Sequence, residues 1–118
     1  MLTLETIQAD PVLVNDIDWD MTPEDAVTRY LEWGNNPALG NHRVRGKGDY
    51  SVYFVVNTWY DPVIYLIRRN SEQAEELAAI DIPEPMRSRY LDSISHLKGV
   101  YPVDGEIRDW LQGKLHAA

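Results

Sequence analysis

Apolar residues recur at helical spacing in residues 23–33, PEDAVTRYLEW, and this is the clearest pattern in the chain. Val27, Tyr30 and Leu31 fall on one side of a helix with this register. Thr22 is a favoured capping residue directly before the segment, and the proline that follows it suits the first helical position. A glycine and an Asn-Asn-Pro run then end the pattern. We therefore predict a helix over about 23–33.

Two runs rich in β-branched and aromatic residues, at about 50–59 and 63–70, predict an antiparallel hairpin with an Asp-Pro turn. Neither run alternates strictly between apolar and polar residues. In the first run Tyr53 and Val55 fall on one face of the strand. The other face carries three apolar residues: Val52, Phe54 and Val56. We therefore expect helices to cover one face of the sheet, and aromatic rings or a partner to cover the other.

The segment SEQAEELAAIDIP, which begins at residue 71, is compatible with two structures. Its composition favours a helix, whereas the ending AAIDI before a proline could continue the hairpin as a third strand. For residues 71–82 we predict a short helix followed by an extended segment, and we keep the third strand as the alternative. At the other end of the chain, residues 1–15 are predicted to be extended or loosely ordered, with PVLV as an apolar anchor.

Two more helices are predicted near the C-terminus, at about 84–98 and 105–115. Each has an apolar stripe at helical spacing. The stripes are Met86, Tyr90, Ile94 and Leu97, and then Ile107, Trp110, Leu111 and Leu115. Lys98 and Gly99 are expected to end the first helix, and Asp104 to cap the second. Together these elements predict an α+β fold, with a small antiparallel sheet packed against three or four helices.

The size and composition indicate a single globular domain over residues 1–118. The chain is 44% hydrophobic and 25% charged, as in an ordinary globular protein. Cysteine is absent, which excludes disulfides, thiol nucleophiles and cysteine-based zinc sites. The segment MLTLETIQADP has acids where a secretory signal would have lysine or arginine. No apolar run is longer than VYFVV, which is far shorter than the ~20 apolar residues of a membrane helix. We therefore expect a cytoplasmic protein with no membrane partner.

The negative charge is concentrated near the N-terminus. The formal net charge is −8, and the first 32 residues contain eight acidic residues and one arginine, a net −7. Phosphate repulsion therefore disfavours nucleic acid as a partner, and a basic protein surface is a better complement. A nucleic-acid mimic that occupies a basic groove on another protein remains a further alternative.

A basic loop, residues 40–48 with the sequence GNHRVRGKG, departs from this acidic character. It places His42, Arg43, Arg45 and Lys47 among three glycines. It is not a P-loop, because its glycine spacing differs and no hydroxyl residue follows the lysine. In an extended segment the two arginines and the lysine would project the same way and could grip a phosphate, a carboxylate or an acidic partner. The alternatives are a solvated loop or pairing with the acidic N-terminal segment.

The aspartates at positions 16, 18 and 20 have the spacing of the first ligands of an EF-hand loop. The match ends there, because Met21 replaces the turn glycine and Val27 replaces the bidentate glutamate. We therefore predict no metal site and no cofactor, and we assign the acidic residues to helix electrostatics and solvation.

No residue pattern predicts catalysis. His96 follows Ser93 on a predicted helix, but the exposed elbow and orienting acid of a nucleophilic site are missing. His42 and His116 are interpreted as ordinary surface histidines. We assign no catalytic residue, and the sequence favours a binding protein over an enzyme.

Tyrosine and tryptophan are unusually prominent, with seven Tyr and four Trp beside one Phe. Both side chains combine apolar area with a polar tip and therefore suit interfaces as well as a core. Several lie near the first helix and the hairpin: Trp33, Tyr50, Tyr53, Trp59, Tyr60 and Tyr65. Trp33 and Tyr50 flank the basic loop and are candidates to stack on a ligand there.

Three segments, NDIDWDMTPEDAVTRYLEWGNN, YSVYFVVNTW and LKGVY, resemble those of a small family of uncharacterised cytosolic proteins from sulfate-reducing bacteria. The resemblance covers most of the chain. It implies an intracellular location and a single domain, and it transfers no functional residues.

Two functional hypotheses follow. The first is a non-enzymatic interaction module, binding a protein partner or a second copy of itself through the aromatic hairpin and the basic loop. The alternative is a small-molecule binding or enzymatic domain that grips an anionic ligand through loop 40–48.

Overall fold

The computed structural model describes residues 1–25, 27, 41–43, 51–69 and 73–116. Within these ranges the elements follow one another in this order: α1 (Leu4–Gln8), α2 (Pro11–Asp16), β1 (Asn41–Arg43), β2 (Ser51–Asn57), β3 (Val63–Arg69), β4 (Gln73–Asp81), α3 (Met86–Ser93), β5 (Val100–Pro102) and α4 (Gly105–Leu115). The predicted α+β fold is confirmed.

The strands form one antiparallel sheet in the order β1-β4-β3-β2-β5. The predicted hairpin is confirmed as β2 and β3, which pair from Ser51 opposite Arg69 to Asn57 opposite Val63. Strand β4 extends the hairpin on one side, with an irregularity in the pairing between Leu66 and Ile67. The meander therefore has three long strands, with short strands at both edges.

The helix preferred for part of residues 71–82 was wrong, because residues 73–81 form strand β4. The alternative, a third strand of the meander, is correct. Ala78 and Ile80 pair with Leu66 and Ile64 of β3, and all four side chains are buried. Pairing and burial along a central strand outweigh the helix propensity of the alanines and glutamates, which is a weak preference.

The extended N-terminal segment predicted for residues 1–15 was also wrong. The side chain of Thr3 caps α1 in a reciprocal arrangement with Thr6, and Asp10 caps α2 by accepting a hydrogen bond from the Leu13 amide at 3.1 Å. Both helices are too short for a sequence periodicity to show. Ile7 and Leu13 are buried against the sheet and the other helices, so tertiary packing stabilises the two helices.

The start of the predicted helix at 23–33 is confirmed. The Thr22 hydroxyl accepts a hydrogen bond from the Asp25 amide at 3.1 Å, as expected for a capping residue. Residues 23–25 and 27 are helical, and the remainder of this prediction lies outside the described residues.

The two C-terminal helices differ in how well the sequence predicted them. Helix α4 has the predicted bounds of about 105–115, although no side-chain hydrogen bond from Asp104 caps it. Helix α3 ends at Ser93 rather than near residue 98, because Ser95 and His96 adopt positive φ angles of 55° and 53°. Leu97 is therefore not part of a buried helical stripe and is 63% exposed. The following strand, β5, was not predicted.

The predicted division of β2 into two faces is confirmed. Val52, Phe54 and Val56 belong to a large core between the sheet and helices α1 to α4. Tyr53 and Val55 point to the second face, where they pack with Ile67 and Ala74. Met21, Tyr65 and Val100 lie against this smaller cluster. The described residues include no helix long and apolar enough to cross a membrane.

Candidate functional site

The structure describes only part of the predicted basic-loop site. His42 and Arg43 belong to β1, where the backbone pairs with Gln73–Glu75 at one edge of the sheet. The prediction of a continuous loop over 40–48 was therefore wrong for residues 41–43. The other candidates, Arg45, Lys47, Trp33 and Tyr50, lie outside the described residues. Their role in binding an anion or a partner stays a prediction.

The turn that joins β2 to β3 exposes two aromatic side chains. Trp59 is 54% exposed and Tyr60 is 91% exposed. Most of the other large apolar side chains of the described chain are buried or half-buried. Large aromatic groups contribute strongly to binding when a partner covers them. Among the described residues of the predicted aromatic surface, those at this end of the hairpin are therefore the most open to solvent.

Thr58 fixes the base of this turn. Its side chain is buried, and its hydroxyl donates to the carbonyl oxygen of Leu97 at 3.0 Å and accepts from the Gly99 amide at 2.9 Å. The Thr58 amide donates to the Gly99 carbonyl oxygen at 2.9 Å. The hydroxyl of Tyr101 also donates to the Leu97 carbonyl, at 3.0 Å. The turn and the segment after α3 are thus held together by several hydrogen bonds.

Leu97 is also exposed, and its carbonyl oxygen accepts the hydrogen bond of Thr58 at the base of the turn. Arg87 of α3 forms an ion pair with Asp61 of the turn, with a nitrogen–oxygen distance of 3.1 Å. We refer to Trp59, Tyr60 and Leu97 as the hairpin-end surface. Hydrogen bonds hold the base of the turn, which reduces the number of backbone groups that binding would immobilise.

Polar side chains also lie on the second face of the sheet. Arg69 is only 4% exposed and pairs in register with Ser51. Glu76 lies opposite Ile67, and its Oε1 atom is buried without a hydrogen-bond partner among the described residues. Burial raises the pKa of the Glu76 carboxyl. Burial raises the pKa of the Tyr65 hydroxyl, and the negative charge of Glu76 raises this pKa further. Groups with shifted pKa values occur at functional and structural sites alike, so this cluster alone does not identify a reaction.

The contact between Ser93 and His96 considered from the sequence is not formed. The Ser93 hydroxyl donates to the Tyr90 carbonyl oxygen at 2.6 Å, and the His96 ring lies 3.1 Å from the Asp92 carboxylate. His116 packs beside Trp19, with ring centroids 6.2 Å apart. No two of these groups have the arrangement of a nucleophile and its base.

The aspartates near the N-terminus have a local structural role. The Asp18 carboxylate accepts hydrogen bonds from the amides of Asp20 and Met21, at 3.0 and 2.9 Å. This bonding shapes the turn that leads to the capping residue Thr22. Among the described residues, no group of three or more His, Asp or Glu side chains could hold a metal ion.

We compared the chain with protein-family models, with curated proteins and with solved structures, and none of them matches. Assignments of function to this chain therefore rest on its own geometry.

The sequence indicated the aromatic residues of the hairpin but not the way in which the turn is fixed. Thr58 and Gly99 are 41 positions apart, and no local pattern links them. The exposure of Leu97 also escaped prediction, because the apolar stripe suggested a longer helix. An available signal was the run Ser-Ile-Ser-His, since serine is a weak helix former in the interior of a helix.

Proposed function

We propose that this protein is a non-enzymatic interaction module that binds a protein partner through the hairpin-end surface. The observation that carries the proposal is the exposure of Trp59 and Tyr60 on a turn whose base is fixed by Thr58. Tryptophan and tyrosine are the residues most enriched at the energetic centres of protein interfaces. A prearranged turn also lowers the ordering cost of association.

The partner is either another protein or a second copy of this chain. A homodimer would allow the acidic N-terminal segment of one copy to face the basic residues near position 43 of the other. The cysteine-free composition suits a reducing compartment, so we place the interaction in the cytoplasm. We also propose that the chain belongs to the family of cytosolic proteins from sulfate-reducing bacteria that its sequence resembles.

The test is affinity capture of the tagged protein from cells of its source, followed by quantitative mass spectrometry. The Trp59→Ser/Tyr60→Ser variant is compared with the wild type. Asp109→Ser is the control, since Asp109 is an exposed residue of α4 outside the hairpin-end surface. We expect the hairpin variant to lose its partner while the control keeps it. Equal recovery by all three proteins would overturn the proposal.

Self-association is measured separately by sedimentation velocity on the purified proteins. A wild-type dimer that dissociates in the hairpin variant would identify the partner as a second copy. A dimer that persists in this variant would show that self-association uses another surface.

A further inference from the structure

A second surface is an open groove lined by residues of α2, of strands β3 and β4 and of the first positions of the chain. It has a volume of about 660 Å³ and is open to solvent. This volume lies within the roughly 300–1,000 Å³ of small-molecule sites, but those sites enclose most of the surface of their ligand. An open groove suits an elongated segment of a partner better than a compact ligand.

Half of the described residues that line the groove are apolar: Met1, Leu2, Val12, Leu13 and Leu77. The Leu2 amide donates to the Leu77 carbonyl oxygen at 2.8 Å, and Leu2 forms a parallel bridge with Ala78. This contact fixes the first residues of the chain along β4. Leu2 is 37% exposed and Val12 of α2 is 72% exposed. The groove therefore presents apolar side chains to solvent.

The rim of the groove is strongly acidic. Four carboxylates line it, from Asp10, Asp16, Glu75 and Glu76, against the single described cation Arg68. Arg68 is already engaged, with its Nη2 atom 3.1 Å from Glu75. The Asp10 carboxylate caps α2. Asp16 remains exposed, and the buried Oε1 of Glu76 has no hydrogen-bond partner in the described part of the chain.

We propose that this groove binds a basic, amphipathic peptide segment of a partner protein. The apolar lining residues would bury the apolar side chains of the segment, and the carboxylates of the rim would pair with its lysines or arginines. Charge complementarity favours this occupant, since the described lining has four acids against one base. The proposal concerns a surface separate from the hairpin-end surface and does not depend on it.

The test uses a fluorescent twelve-residue peptide of alternating lysine and leucine as the probe, with binding followed by fluorescence anisotropy. Two peptides of equal length serve as controls: lysine with serine, which lacks apolar side chains, and glutamate with leucine, which lacks cations. We expect saturable binding of the lysine–leucine peptide alone. This binding should weaken as salt rises, because the rim is exposed to solvent.

Two single variants locate the binding. Asp16→Asn removes a rim charge and Val12→Ser removes apolar area, and both side chains are exposed, so the fold should tolerate either change. Val12→Ser should weaken binding by up to about tenfold, the equivalent of burying one valine. Asp109→Asn is the matched control, an exposed acid on α4 outside the groove.

Three results would overturn the proposal. The first is equal binding of the lysine–leucine and lysine–serine peptides. The second is equal weakening by Asp16→Asn and Asp109→Asn, which would show attraction to the net charge only. The third is a wild-type dimer in sedimentation velocity that Val12→Ser dissociates, which would assign the groove to a second copy of the chain.

Discussion

Large apolar side chains are buried on the helix-covered face of the sheet but are exposed to solvent at the hairpin end. On the covered face, Leu66 and Leu111 are fully buried in a core that helices α1 to α4 share. At the hairpin end, Trp59 and Tyr60 project into solvent from a turn that hydrogen bonds hold in place. Apolar area stabilises the fold only where folding removes it from water. The core side chains therefore account for stability, and the exposed aromatics are left available for binding.

The largest effect is expected from Leu66→Ala. Leu66 is fully buried at the centre of β3, so its truncation leaves a cavity in the core. We expect the free energy of unfolding to fall by about 2–5 kcal/mol, measured by urea denaturation. Ile67→Ala is the comparison on the second face, where the described cluster is much smaller. A greater loss from Ile67→Ala than from Leu66→Ala would contradict the assignment of stability to the covered face.

An intermediate effect is expected from Thr58→Val, which keeps the shape of the side chain but removes the hydroxyl. The Gly99 amide would lose its acceptor, while the Leu97 carbonyl would keep the hydrogen bond from Tyr101. We expect a loss of about 1–3 kcal/mol in the free energy of unfolding. Amide hydrogen exchange at Gly99 should also become faster. Unchanged exchange at this amide would show that the turn is fixed without Thr58.

The hydrogen bonds of Thr58 are also an example of a contact that the sequence could not predict. Strands β2 and β3 were predictable, because their β-branched and aromatic runs are strong local signals. Strand β4 was not, since its alanines and glutamates favour a helix until β3 is present to pair with them. The contact between the turn and Gly99 joins positions far apart in the chain, so only the folded structure reveals it.

A smaller effect, a gain rather than a loss in the free energy of unfolding, is expected from Glu76→Gln. Burial raises the pKa of Glu76 above its ordinary value of 4.5, so the folded state binds this proton more tightly than the unfolded state. The contribution of the Glu76 carboxyl to the free energy of unfolding therefore falls as the pH rises from 4.5 through the raised pKa. At pH 7 the glutamine variant should be more stable, by no more than about 1 kcal/mol because the group is only half-buried.

The check is urea denaturation of both proteins at pH 5 and pH 7. The advantage of the glutamine variant should be greater at pH 7, where the wild-type carboxylate is ionised. The same difference at both pH values would mean that burial does not disfavour the charged form.

The central claim, that the hairpin end is a contact surface, is tested most directly by hydroxyl-radical footprinting of the captured complex and of the free protein. Trp59 and Tyr60 are exposed and reactive, and Trp110 of α4, which is half-buried and belongs to neither proposed surface, serves as an internal reference. The account predicts that the partner lowers the reactivity of Trp59 and Tyr60 severalfold. Unchanged reactivity of both aromatic residues, with protection elsewhere in the chain, would contradict it.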